Sequence, residues 1–140
     1  MDEPLTEELL DQLLESPDPL AFLRSHPLRE RSLAGYLGEM LDEHGIERID
    51  AIHAAGINET YGYQLFAGQR INPSRDKVLQ LAIGMGLTLR ETDRLMKIAG
   101  VSPLYCKSRR DAIIIFCIDK GYPLAKANEE LFRFGEQTIC

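Results

Sequence analysis

The chain has no tryptophan and only three cysteines, Cys106, Cys117 and Cys140. An odd set without CxxC spacing excludes a disulfide framework, and no histidine stands at a ligand-like distance, so zinc binding and cysteine catalysis have no footing. Cys117 sits inside an apolar run and reads as a small core residue. Long hydrophobic stretches are also missing. The longest, AIIIFCI at residues 112–118, is far below the roughly 20 residues a membrane span needs. Proline and glycine total only 18 residues and no low-complexity tract occurs, which excludes a disordered or fibrous composition. The first ten residues, MDEPLTEELL, are acidic where a secretory leader is basic, so a cytoplasmic location and no membrane are expected. No nucleophile, acid/base pair or phosphate loop stands out, and His26, His44 and His53 are scattered. The chain is read as a non-enzyme without a cofactor or metal.

What remains is a soluble globular composition, 44% hydrophobic and 27% charged, long enough to bury a core without staples. The formal charge is −6, but it is unevenly spread. Residues 1–50 hold 13 acidic and 4 basic side chains, whereas residues 51–140 hold 9 and 12. Between Arg70 and Arg110 nine basic residues face three acidic ones, and a polyanion would land there.

Helical periodicity runs through the whole chain. Leucines at 5, 9, 10, 13 and 14, with Thr6 as a cap and SPDP as a stop, make a short acidic amphipathic helix. Asp18 caps PLAFLRSH, which Pro27 ends. These leucines suit packing on the rest of the domain, or a dimer or partner face. From Arg31, RSLAGYLGEMLDEHG puts Leu33, Tyr36, Leu37, Met40 and Leu41 on one stripe, with Gly45 as its stop. IERIDAIHAAG follows, with Ile49 and Ile52 inward. Ser74 then caps RDKVLQLAIGMG, and Thr88 with Glu91 forms a capping box. Ser108 and Asp111 suggest another box ahead of AIIIFCIDKG, a β-branched run that fits a buried helix better than a strand because of the cap and Gly121. YPLAKANEELFRFG closes the chain.

The expected fold is all-α, a compact bundle of about seven to eight short helices. Residues 1–30 form an acidic extension, 31–103 a central domain, and 104–140 a C-terminal helical hairpin packed on it. Residues 75–100 also repeat at 110–135. Arg75/Arg110, Asp76/Asp111, Ile83/Ile118, Gly86/Gly121, Leu89/Leu124 and Gly100/Gly135 coincide at an offset of 35, so the second hairpin should stack beside the first.

One arrangement points to function. A helix ends at Gly56, a tight turn follows, a second helix ends at Gly68, and G-x-R-x-x-P leads into the next. Ile49, Ile52, Ala55, Ile57 and Leu65 suit the apolar scaffold that holds such a pair together. Over residues 33–100 this layout resembles the XRE family, the phage-repressor type of helix-turn-helix protein with a five-helix core. The resemblance implies a bacterial transcriptional regulator that binds double-stranded DNA, with two half-sites read by a homodimer. It places Asn58, Glu59, Thr60, Tyr63 and Gln64 on bases, and Arg48, Arg70, Asn72, Ser74, Arg75 and Lys77 on phosphates. Gln64 suits adenine, Thr60 a base edge or thymine methyl, and Glu59 only cytosine N4. Arg109 and Arg110 would extend the footprint or grip another anion, while Arg90, Arg94 and Lys97 read as a solvated face.

Two residues depart from the family's pattern. Glu59 puts a carboxylate where phosphates approach, and Gly62 replaces an apolar residue, which calls for close helix approach or for Tyr61 or Tyr63 lying across the gap. The alternative is a protein-protein adaptor that keeps the fold and uses a Tyr61/Tyr63/Phe66 surface.

Overall fold

The computed structural model describes residues 6–25 and 32–140. Among them every regular element is an α-helix: α1 (Thr6–Glu15), α2 (Pro19–Ser25), α3 (Leu33–His44), α4 (Arg48–Ala54), α5 (Glu59–Phe66), α6 (Arg75–Gly84), α7 (Leu89–Ile98), α8 (Arg109–Asp119) and α9 (Leu124–Arg133). The chain divides into two units, residues 1–30 and 31–140.

In the first unit, Asp18 caps α2 as its position suggests, its Oδ1 accepting the Ala21 N–H at 2.7 Å. Leu5, the Thr6 side chain, His26 and Pro27, which carry the other expectations for this unit, lie outside the described residues.

The second unit carries α3 to α9. Side-chain caps start most of these helices: Ser32 accepts from Gly35 N–H, Ser74 from Lys77 N–H, and Thr88 with Glu91 forms both halves of a capping box. At Ser108 only half of the expected box forms. Its hydroxyl accepts the Asp111 N–H, but the Asp111 carboxylate turns away to other partners. The run at 112–118 is helical, with Ile114, Cys117 and Ile118 buried.

α3 packs on α5 and α7, and α4 packs on α5 and α6. Leu37, Ile52, Leu65, Leu79, Leu95 and Met96 are fully buried in this core. Two polar links pin it. Gln80, buried on α6, donates its amide to the Ala55 carbonyl at the end of α4 at 2.9 Å. Glu91 on α7 meets His44 of α3 at 2.9 Å. Burial would raise the Glu91 carboxyl, but the Thr88 N–H and His44 outweigh it and hold the carboxyl below its usual range.

The two C-terminal hairpins, α6–α7 and α8–α9, meet across a local two-fold relation. Arg75 forms a two-pronged pair with Asp111 at 2.9 and 2.7 Å, and Arg110 forms the reciprocal pair with Asp76 at 3.0 and 3.2 Å. Each arginine also holds the loop closing its own hairpin. Arg75 donates to the Ser102 and Pro103 carbonyls, and Arg110 donates to those of Gln137 and Thr138, 35 residues on. α6 rests on α9 as α7 rests on α8. Reciprocal contacts of this kind mark an isologous interface. The apolar positions beneath match too: Leu79 and Ile114, Ala82 and Cys117, Met96 and Leu131 are all buried.

Thr92 lies in this core with a buried hydroxyl that has no hydrogen-bond partner among the described residues. Removing an orphan polar group without changing shape relieves its desolvation cost. Thr92→Val should therefore raise the unfolding free energy by about 1 kcal/mol in urea titrations. A loss of stability would show that the hydroxyl has a partner.

Candidate recognition surface

α4 and α5 are joined by residues 55–58, with Gly56 at φ 66° turning the chain. The two helices touch where glycine is required. A Cβ on Gly62 would fall 2.8 Å from both Cγ atoms of Ile52, a fully buried β-branched residue of α4. The gap at Gly62 is therefore filled by Ile52 and not by a tyrosine. Asn58 caps α5, its Oδ1 accepting the Tyr61 N–H at 3.3 Å.

At about 100° per residue, this seating fixes the rest of the helix. Gly62 and Leu65 turn inward, and Glu59, Thr60 and Tyr63 form an exposed stripe. Gln64, Tyr61 and Phe66 are half-buried at its edges. Asn58 is exposed as the cap of the same helix, so of the five residues expected to read bases three form the stripe, Gln64 sits at its edge and Asn58 sits at the helix start.

Two guanidiniums lie over the rings of this helix. Arg48, at the start of α4, lies 5.4 Å from the Tyr63 ring centre. Arg70, after α5, lies 5.8 Å from that of Tyr61, and its Nε donates to Gln64 Oε1 at 3.1 Å. Tyr61 and Tyr63 point to nearly opposite sides of the helix, so Arg48 sits with the exposed stripe and Arg70 sits beside its Gln64 edge. The bond to Arg70 leaves Gln64 one acceptor lone pair and both amide protons, enough for a two-pronged contact with adenine. Glu59 is not a bare charge: its carboxylate meets His53 Nε2 at 2.7 Å.

The expected phosphate set divides. Arg48, Arg70, Asn72 and Ser74 are exposed and Lys77 is half-buried. Ser74 spends its hydroxyl accepting the Lys77 N–H. Arg75 is used differently from the phosphate contact that the resemblance implies. Four hydrogen bonds to Asp111, Ser102 and Pro103 occupy its guanidinium, and the Asp111 bond raises its pKa above the usual arginine value. Arg110 is occupied in the same way, and Arg109 pairs with Glu136 at 3.0 Å.

This reciprocal clasp escaped the sequence reading, although a signal for it was present. Two of the six coincident positions form an adjacent Arg-Asp pair in each copy, which is what crossed ion pairs need. Comparison with protein families, curated proteins and solved structures found no match.

Proposed function

We propose that the chain is a cytoplasmic transcriptional regulator of XRE type that binds double-stranded DNA through the outward stripe of α5, as a homodimer on two half-sites. The observation that carries this reading is the stripe itself. Polar side chains able to meet base edges share the exposed face with Arg48, which stacks on Tyr63, while Arg70 stacks on Tyr61 and bonds Gln64, and neither arginine meets a carboxylate among the described residues. Two cations seated beside the polar stripe suit the phosphate backbone that borders a major groove. The overall charge is no obstacle. Residues 1–30 carry 8 acidic and 2 basic side chains, which leaves 14 of each in residues 31–140.

Selection from a random duplex library, followed by binding at two salt concentrations, tests the reading. Arg48→Ala and Arg70→Ala should each weaken binding evenly across sequences and reduce the salt slope by about one. Gln64→Ala should cost about 1–3 kcal/mol at one base position and relax the preference there. Glu59→Gln should strengthen binding to unrelated duplexes, since it removes a charge that repels phosphate.

One observation favours an adaptor reading. The Glu59–His53 pair and the exposed Tyr63 ring together make a polar and aromatic surface of the kind found at protein interfaces. If no DNA motif emerges and the Arg48 and Arg70 variants behave as wild type, the regulator reading fails and α5 becomes a surface for a protein partner.

A further inference from the structure

An open cleft of about 500 Å³ runs between α8 and α9. Ile113, Phe116, Tyr122 and Phe134 line it, with Glu130 and Arg133 at its edge. The repeat shows what such a face is for. Shifted back by 35 residues, the four apolar positions become Val78, Leu81, Leu87 and Ala99, all buried where α3 and α4 lie across α6 and α7. Leu81 is 0% exposed, but its counterpart Phe116 is 52% exposed. Residues 32–140 therefore contain two copies of a helix-accepting hairpin face, of which one is covered by α3 and α4 and the other is left uncovered by the helices of this unit.

The open copy differs in ways that identify its occupant. Leu95 and Ile98 of the covered face become Glu130 and Arg133, which gives the cleft the polar rim of a separable interface. Its rings are overlaid by cations: Lys120 at 5.3 Å from Phe116, Lys126 at 4.5 Å from Tyr122 and Arg133 at 5.2 Å from Phe134. Arg133 also lies 3.7 Å from Glu130, whereas neither lysine has a carboxylate partner among the described residues. Asp119 and Glu129 are exposed on the same two helices. Apolar side chains entering between the rings would push the lysines to the rim, where a carboxylate meets them in a partly dry setting.

We propose that the α8–α9 cleft docks an acidic amphipathic helix of another protein, its apolar stripe between Phe116, Tyr122 and Phe134 and its carboxylates on Lys120 and Lys126. The site is separate from α5 and does not rest on the DNA-binding reading.

A displayed library of helical peptides with randomised faces, sorted against the full chain, tests this. The enriched peptides should carry leucine-like residues at i, i+3, i+4 and i+7, flanked by an excess of Asp and Glu. Their affinity, read by fluorescence anisotropy, should fall at least about tenfold with Phe116→Ser and again with Lys120→Glu plus Lys126→Glu. Arg48→Ala should leave it unchanged. Phe116 and both lysines are exposed, so thermal unfolding followed by circular dichroism should match wild type. The proposal is overturned if no peptide binds saturably, if the selected peptides are basic, or if binding survives Phe116→Ser. It is also overturned if the full chain is dimeric by mass and Phe116→Ser makes it monomeric, since the face then belongs to a second copy.

Discussion

Asp111→Ala should cost about 3 kcal/mol of unfolding free energy in urea titrations, the lower end of what breaking a buried ion pair removes. The Asp111 side chain is 7% exposed, and its loss removes the counter-charge of Arg75, leaving that guanidinium only the Ser102 and Pro103 carbonyls, and the acceptor of the Tyr105 N–H. Asp76→Ala breaks the symmetry-related pair at a site 35% exposed, where water can replace the carboxylate, so it should cost only about 1 kcal/mol. The contrast is the test: equal costs would mean that both pairs are solvent-screened and that the clasp contributes little. A pH dependence follows from the same residue. Burial alone would raise the Asp111 carboxyl, but the Arg75 bonds, the Tyr105 N–H and the nearby Arg110 outweigh it and hold the carboxyl below its usual range. Its contribution is fully present above the ordinary carboxylate pKa of about 4 and is lost as pH falls through the lowered folded value. Asp111→Asn should flatten that acid limb of the stability curve. An unchanged limb would assign acid sensitivity to other carboxylates.

Gly84→Ala should be nearly as damaging, at about 2–3 kcal/mol, although alanine is the better helix former by about 1 kcal/mol. A Cβ at Gly84 would sit 2.6 Å from the Ala55 backbone nitrogen and 2.8 Å from its Cα. Backbone cannot swing aside as a side-chain tip can, so α4 must lift off α6, and Gln80 loses the Ala55 carbonyl it holds. Because α4 carries α5, the variant should also lose any ligand of the α5 face. Gly38→Ala is the control. It lies within α3 with nothing within 4 Å of an added Cβ, and should gain up to about 1 kcal/mol. If Gly84→Ala proves as benign as Gly38→Ala under thermal and urea unfolding, the close helix contact is wrong.

Much of this architecture was legible because its determinants are local. Ser74, Thr88 and Ser108 mark helix starts by bonds spanning only three residues, and Gly45, Gly86, Gly100 and Gly121 mark stops by a residue type that any sequence window reveals. The run at 112–118 was ambiguous by propensity, and its cap pointed the right way. What depended on tertiary contact was harder to read. Gly62 called for a neighbour that periodicity could not choose, and Ile52 proved to be that neighbour. Asp111 was read as half of a local capping box, and a partner 36 residues away took its carboxylate. Arg75 was harder still, since an arginine at a helix start beside a basic stretch looks the same whether its partner is a phosphate or a buried aspartate. For the α5 face, the sequence supplied which residues point outward. The pairing of Glu59 with His53 and the seating of Arg48 and Arg70 on rings became visible only once α4 and α5 were in place.

The two-fold clasp also bears on how the protein responds to dilution. α6–α7 and α8–α9 meet as two subunits would, yet residues 99–108 join them covalently. As separate pieces they would obey a concentration-dependent equilibrium, with the ion pairs and apolar contacts offset by lost translational freedom. The short tether instead holds each hairpin near the other at an effective concentration on the order of millimolar. The α8–α9 face, whatever it captures, is thereby carried by a support that does not dissociate at the low copy numbers typical of a cell.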